Sequence, residues 1–288
     1  MHADLDTLLT TVYCMADDLL PRQPDNARRR VTDAEVVTLC VAQAIMGIPE
    51  DPRFLAVARR RLGELFPELP KQPDFHKRRR RLAATIERLV LLFAADCPGA
   101  HDDVLLVDST PVECGRSVET TRRSELAPWC ANGYCASHSR HFWGMRLHAV
   151  FAPDGTPRAW ALAPANVGER EMAAALLGEA VSGGEAVVGD KGYAGADFEA
   201  AVRGLGAILF RPARRDEPGR GPHLAPIRQR IESIFRTCKD LLTLERHGAR
   251  TIENLRARVS SRLLALAACV YVNSWLGRPS RSLVDYVA

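Results

Sequence analysis

The sequence predicts an α/β fold in which a mixed sheet flanked by helices follows an all-helical segment. Two observations predict it. Residues 1 to about 100 carry apolar side chains at helical spacing, and from Asp102 onward short, wholly apolar runs alternate with amphipathic ones. The order after Asp102 reads three strands, helix, strand, helix, strand, long helix, which is a mixed α/β order. The change of texture divides the chain into two expected domains, residues 1–100 and 101–288.

In the first hundred residues, Leu5, Leu8, Leu9, Val12 and Met15 follow the 3.6-residue period, and an apolar face recurs from Val36 to Ile45. Thr32 reads as the N-cap of that second helix, with Glu35 placed for a capping box. A third helix is expected over Phe54–Leu65 and a fourth over Leu82–Phe93. Past the boundary, Val104 to Val107 reads as a strand buried on both faces. A polar, Arg-rich loop is expected from Glu113 to about Arg140. Met145–Phe151 and Arg158–Ala163 read as strands joined by the turn Pro153-Asp154-Gly155-Thr156. Arg170–Val181 reads as a helix, Ala186–Gly189 as a buried strand, Ala196–Leu205 as a helix and Ala207–Phe210 as a strand. A long helix is expected from Ile227 to about Arg246. The apolar helix Leu255–Trp275 is expected to cover a sheet face.

Of the 288 residues, 47% are hydrophobic and 26% charged, the balance of a soluble globular protein. No apolar run approaches the roughly 20 residues of a bilayer span. The start, MHADLDTLLT, has no basic n-region, so the expected location is the cytoplasm. A net charge of +4 conceals an uneven distribution: Leu209–Arg262 holds thirteen Arg and Lys against six Asp and Glu. Arginine also clusters at Arg28–Arg30, Arg59–Arg61 and, after Lys77, at Arg78, Arg79, Arg80 and Arg81. Each cluster alone is an ordinary solvated helix face. Together they point to a polyanionic partner, because guanidinium groups grip phosphate bidentately.

Seven of the eight cysteines fall into two sets. Cys14, Cys40, Cys97, Cys238 and Cys269 lack paired spacing and read as reduced core thiols. Cys130, Cys135, His138 and His141 resemble zinc ligands in type, but four ligands within twelve residues are poorly spaced for a tetrahedron, so no zinc site is expected.

The residues that carry chemistry are acids. Asp108 follows one buried apolar run and Asp190 another, so neighbouring strands would bring both carboxylates to the carboxyl ends of the sheet, where open α/β sheets bind ligands. Paired carboxylates repel, and a hard divalent cation relieves the repulsion. On the long helix, Ile227, Ile231, Ile234, Cys238 and Leu241 form an apolar stripe, and Arg228, Glu232, Phe235 and Lys239 form the stripe beside it. Glu217 and Glu245 are weaker alternatives for a third acid. Trp129, Trp143 and Tyr134 are either apolar anchors or platforms for an unpaired base.

Three blocks now stand together: Val107-Asp108-Ser109-Thr110-Pro111, Asp190-Lys191-Gly192-Tyr193, and Arg228-x3-Glu232-x6-Lys239. They resemble the signatures of DDE-type insertion-sequence transposases of bacteria, within the ribonuclease-H-like superfamily that includes retroviral integrases. The resemblance spans roughly residues 100 to 275, with weaker likeness over the helical leader. One departure is that Ala225 stands where the family often has a Tyr three residues before the Arg.

The resemblance implies a ribonuclease-H-like catalytic domain and DNA transposition by strand cleavage and strand transfer. It implies two Mg²⁺ ions, with Mn²⁺ as a substitute, held by Asp108, Asp190 and Glu232, and DNA phosphates held by Lys191, Arg228 and Lys239. The partners it implies are the element's terminal inverted repeats and the target, both double-stranded DNA, and a second copy of the chain on that DNA. Residues 1–100, with Arg78–Arg81, are then expected to bind the DNA ends. Rival expectations are a ribonuclease-H-like nuclease without strand transfer, and an inactive relic acting as a DNA-binding regulator.

Overall fold

The computed structural model describes residues 3–21, 30–135, 139–215, 217–218 and 224–287. The chain forms α1 (Ala3–Leu19), α2 (Asp33–Ile45), α3 (Asp51–Arg61), α4 (Gln72–Arg81), α5 (Ala83–Asp96), β1 (Val104–Gly115), α6 (Val118–Arg123), β2 (Ala131–Cys135), β3 (Arg140–Phe151) and β4 (Pro157–Pro164). It continues with α7 (Glu169–Ala180), β5 (Ala186–Val188), α8 (Ala196–Gly204), β6 (Ile208–Phe210), α9 (Ala225–Arg236), α10 (Ile252–Trp275) and α11 (Val284–Val287).

Two compact units arise: residues 97–236, and residues 1–96 together with 237–288. The division therefore differs from a single boundary near residue 100, because the C-terminal segment returns to the leader. In the helical unit, α10 is buried almost from end to end and packs against α1, α2, α4 and α5. The sequence expectation put this helix on a sheet face. Its apolar periphery fits any apolar partner, and packing against the leader is the one realised. The second helix is capped as expected: Thr32 accepts from the Glu35 N–H, and the Glu35 carboxylate accepts from the Thr32 N–H. Helix α4 was not anticipated, since Lys77–Arg81 leaves it no apolar stripe beyond Phe75.

In the other unit, β1 is the centre of a mixed sheet. It pairs antiparallel with β3 and parallel with β5, while β6 continues parallel beyond β5. The long strand β3 carries β2 on one half of its outer edge and β4 on the other. The order β4-β3-β1-β5-β6 is the ribonuclease-H-like arrangement, with β2 added. Helices α7 and α8 cover one face, where Leu105, Val107, Val150, Leu176, Leu177, Tyr193, Phe198 and Val202 form a core. Helix α9 packs against β1, and Phe235 meets Phe151 edge-on, ring centroids 5.7 Å apart.

Two expectations are corrected here. The stretch read as a loop from Glu113 to Arg140 contains α6 and β2, and β1 runs on through Asp108-Ser109-Thr110-Pro111 to Gly115. Polar residues and a proline hid that strand. Proline is tolerated because β1 pairs with β5 only as far as Leu106, which leaves one edge open beyond it. The long helix also stops early: α9 ends at Arg236, Thr237–Leu241 forms a π-helical turn, and Thr243 adopts left-handed φ of 57°.

Candidate active site

Strand alternation sets the site. Leu106 and Val188 are partners in the parallel register of β1 and β5. Asp108 and Asp190, two residues further along, therefore project on the same face. That face is the one α9 packs against, and the cleft there is lined by Leu106, Asp108, Val188, Asp190, Arg228, Ile231 and Glu232, with Val107 and Gly189. All three acids singled out from the sequence thus border one cleft, together with Arg228. Its volume is about 20 Å³.

Each acid is held by local chemistry. Asp108 Oδ1 accepts from the Ser109 N–H at 2.8 Å. Asp190 caps the one-turn helix Lys191–Tyr193, its Oδ1 accepting from the Gly192 N–H at 2.7 Å. The glycines around Asp190 follow from close approach. A Cβ at Gly192 would lie 2.8 Å from Asp190 Oδ1, and one at Gly189 would lie 2.9 Å from the Tyr193 ring. Tyr193 itself anchors the turn in the core, 5.6 Å from Phe198 between ring centroids. Glu232 is exposed on α9, between buried Ile231 and Ile234.

The electrostatics are those of crowded acids. Burial pushes the Asp108 carboxyl up to about 7; the Ser109 N–H opposes this, and the negative charges of Asp190, Glu169 and Glu232 add to it. Negative charge at Asp108 is under-compensated, which is where a divalent cation would be favoured, and an all-carboxylate donor set suits a hard cation. Among the described residues, no three His, Cys, Asp or Glu side chains are gathered closely enough to enclose an ion. The acids fit such a cation in donor type and in location, and drawing them together takes side-chain rotation.

Glu169 escaped the sequence reading. It sits at the start of α7, where an acid is unremarkable because it complements the helix dipole. In the fold its Oε1 accepts from Ser109 Oγ at 2.9 Å and from Arg146 at 2.6 Å, and Arg146 also donates to Ser109 Oγ at 3.2 Å. The residue after Asp108 is thereby tied to a partly buried arginine and a fourth acid. No spacing rule links residues 109, 146 and 169; only the pairing of β1 with β3 does.

Other expected residues distribute differently. Lys191 is exposed beside Asp190. Lys239 lies on the π-helical turn of the helical unit, 3.5 Å from Glu245, rather than on the helix that carries Glu232. The basic cluster splits. Arg78 is buried against Asp33, and Arg79, 1% exposed, donates to both oxygens of Asp51. Neither side chain has a face for DNA, which removes both from the expected contact set; Arg80 and Arg81 remain partly exposed. Arg28 and Arg29 lie outside the described residues.

Glu217 is engaged by the buried Arg211 at 2.6 Å and Glu245 by Lys239, so neither alternative acid reaches the cleft's lining. All eight cysteines are thiols, with Cys14 exposed rather than in the core. His138 of the zinc-like set is outside the described residues. Trp129 and Tyr134 are about half exposed.

The site and sheet define a class: a ribonuclease-H-like α/β unit with acids from two neighbouring strands and a following helix at one cleft. Residues 99–268 match the family described as the transposase DDE domain, more than half of the chain, and the chain belongs to that family. Its general function is that of a transposase, in a family that acts on DNA and generally uses divalent metal ions. No curated protein and no solved structure matches the chain. No helix among the described residues is long and apolar enough to cross a membrane.

Proposed function

We propose that this chain moves an insertion sequence by cutting DNA at the element's ends and joining the freed ends to target DNA. The observation that carries the reading is the meeting of Asp108, Asp190 and Glu232 at one cleft, with the Asp108 carboxyl raised by burial and, beyond that, by its acidic neighbours. Asp108, Asp190 and Glu232 are the residues that would hold two Mg²⁺ ions, with Mn²⁺ as a substitute. When bound, such ions activate an attacking water or DNA 3′-hydroxyl and stabilise the leaving oxygen.

The chain's own residues do the rest. Strand pairing and backbone N–H groups hold Asp108 and Asp190 at the cleft, so side-chain rotation alone is what separates them from an ion-holding arrangement. Arg228, at the cleft, and exposed Lys191 are placed to neutralise phosphate charge. Lys239 contacts DNA further from the reacting group. The helical leader, through Arg80 and Arg81, holds the terminal inverted repeats, and two copies of the chain bring two ends together. Exposed Trp129 and Tyr134 offer stacking surfaces for an unpaired base. The setting is the bacterial cytoplasm, on the nucleoid.

The test is cleavage and joining of a duplex carrying the element's ends, in Mg²⁺, with Asp108→Ala, Asp190→Ala and Glu232→Ala beside the wild type. Nicking and joining by wild type alone, with DNA binding by all four, is the expected result. An active alanine variant would remove that residue from the triad. Nicking without joining would leave a nuclease, and binding without chemistry under varied divalent ions would leave a regulator.

A further inference from the structure

The helical unit contains a pocket of about 670 Å³ that the cleavage chemistry does not use. Its wall is built from the start of α3, one side of α4 and the N-terminal turn of α10. Arg246, Arg250 and Arg258 line it, against Glu50 and Asp51.

Asp51 is already consumed. It is 5% exposed and binds Arg79 at 2.8 Å and Arg258 at 2.7 Å. Arg262 is 2% exposed and, among the described residues, donates only to neutral oxygens, the Arg258 carbonyl and Thr243 Oγ1. Three buried guanidinium groups, Arg79, Arg258 and Arg262, therefore share one buried carboxylate. The Nε atoms of Arg258 and Arg262 have no partner among the described residues. Their surroundings register the excess: burial and the Arg79 charge hold His76 below its ordinary range, and burial with neighbouring arginines lowers Arg258 to about 10 and Arg262 to about 9.

Burying unpaired cations is costly, so the arrangement gains from an anion at the pocket mouth. There Arg246 and Arg250 are exposed, and no ion pair of either is found among the described residues. The first turn of α10, with Thr251 and Asn254 in the wall, adds the positive end of a 24-residue helix.

We propose that this pocket seats a phosphate of the DNA backbone, gripped by Arg246 and Arg250 and drawn by the unbalanced arginines behind them. The inference rests on the DNA-processing reading above and adds to it a holding site in the helical unit. It supplies affinity without reading sequence, because phosphates carry none.

The test is binding of the full chain to a fluorescent 30-base-pair duplex of arbitrary sequence, without divalent metal, across a series of KCl concentrations. Each lost phosphate contact lowers the slope of log affinity against log salt by roughly 0.9. Arg246→Ala/Arg250→Ala is expected to weaken binding and to flatten the slope by roughly 0.9, the one phosphate seated there, while melting with the wild type because both side chains are exposed. An unchanged slope overturns the pocket and leaves the transposase reading standing. A wild type that binds no duplex overturns both. In a second arm, inorganic phosphate and a nucleoside triphosphate are added in melting experiments. Stabilisation of the wild type by either, lost in the double variant and accompanied by an unchanged DNA slope, would make this a free-anion site and overturn the proposal.

Discussion

Asp108, within β1, and Asp190, just past the end of the neighbouring parallel strand β5, stand two residues beyond the register partners Leu106 and Val188 and border one cleft. Their proximity is a consequence of pairing, not of their 82-residue separation in the chain. Replacing either with asparagine keeps the shape and removes the charge. Loss of a residue that only orients a metal ligand costs about 10–100-fold, so loss of a ligand should exceed about 100-fold in nicking. Duplex binding should remain. Nicking within tenfold of wild type for Asp190→Asn would end its assignment as a ligand.

Glu169 reaches the site through Ser109 and Arg146 rather than through DNA. Glu169→Gln is expected to slow nicking about 10–100-fold and to raise the Mg²⁺ concentration needed for half-maximal rate, with duplex affinity unchanged. A merely structural role would lower the melting temperature and leave the metal response as it is.

His148 offers a pH test. It is 1% exposed, neither ring nitrogen has a hydrogen-bond partner among the described residues, and burial with the nearby Arg146 lowers its pKa to about 4. Above pH 6.5 the ring is neutral folded or unfolded and contributes no pH dependence. As pH falls from 6.5 towards 4, the unfolded chain takes up the proton first, so stability is lost by at most about 1.4 kcal/mol per unit. His148→Leu should therefore gain about 2 kcal/mol at pH 5 relative to its effect at pH 8. Equal effects at both values would show that the ring is protonated in the fold.

Arg79 and Arg80 are adjacent in sequence and opposite in role. Arg79→Met leaves Asp51 short of its principal partner and is expected to cost about 3–5 kcal/mol in chemical denaturation. Arg80→Ala should change stability little and lower the salt slope of DNA binding. A stable Arg79→Met chain with weakened DNA binding would reverse the assignment.

Much of this was legible in order along the chain. The apolar runs 104–107 and 186–189, the capping box at Thr32 and the acid on the flank of α9 depend on neighbours a few residues away, and local periodicity records them. By itself the sequence determined the α/β class, the helical leader and the three acids as candidates. The tertiary structure alone decided which elements meet. It sent α10 to the leader rather than the sheet, because an apolar helix surface does not name its partner. It continued β1 through polar residues and Pro111, because strand β3 supplies hydrogen bonds that no local pattern shows. It buried Arg79 against Asp51, 28 residues away, because a charge cluster in sequence looks the same whether water or a carboxylate surrounds it.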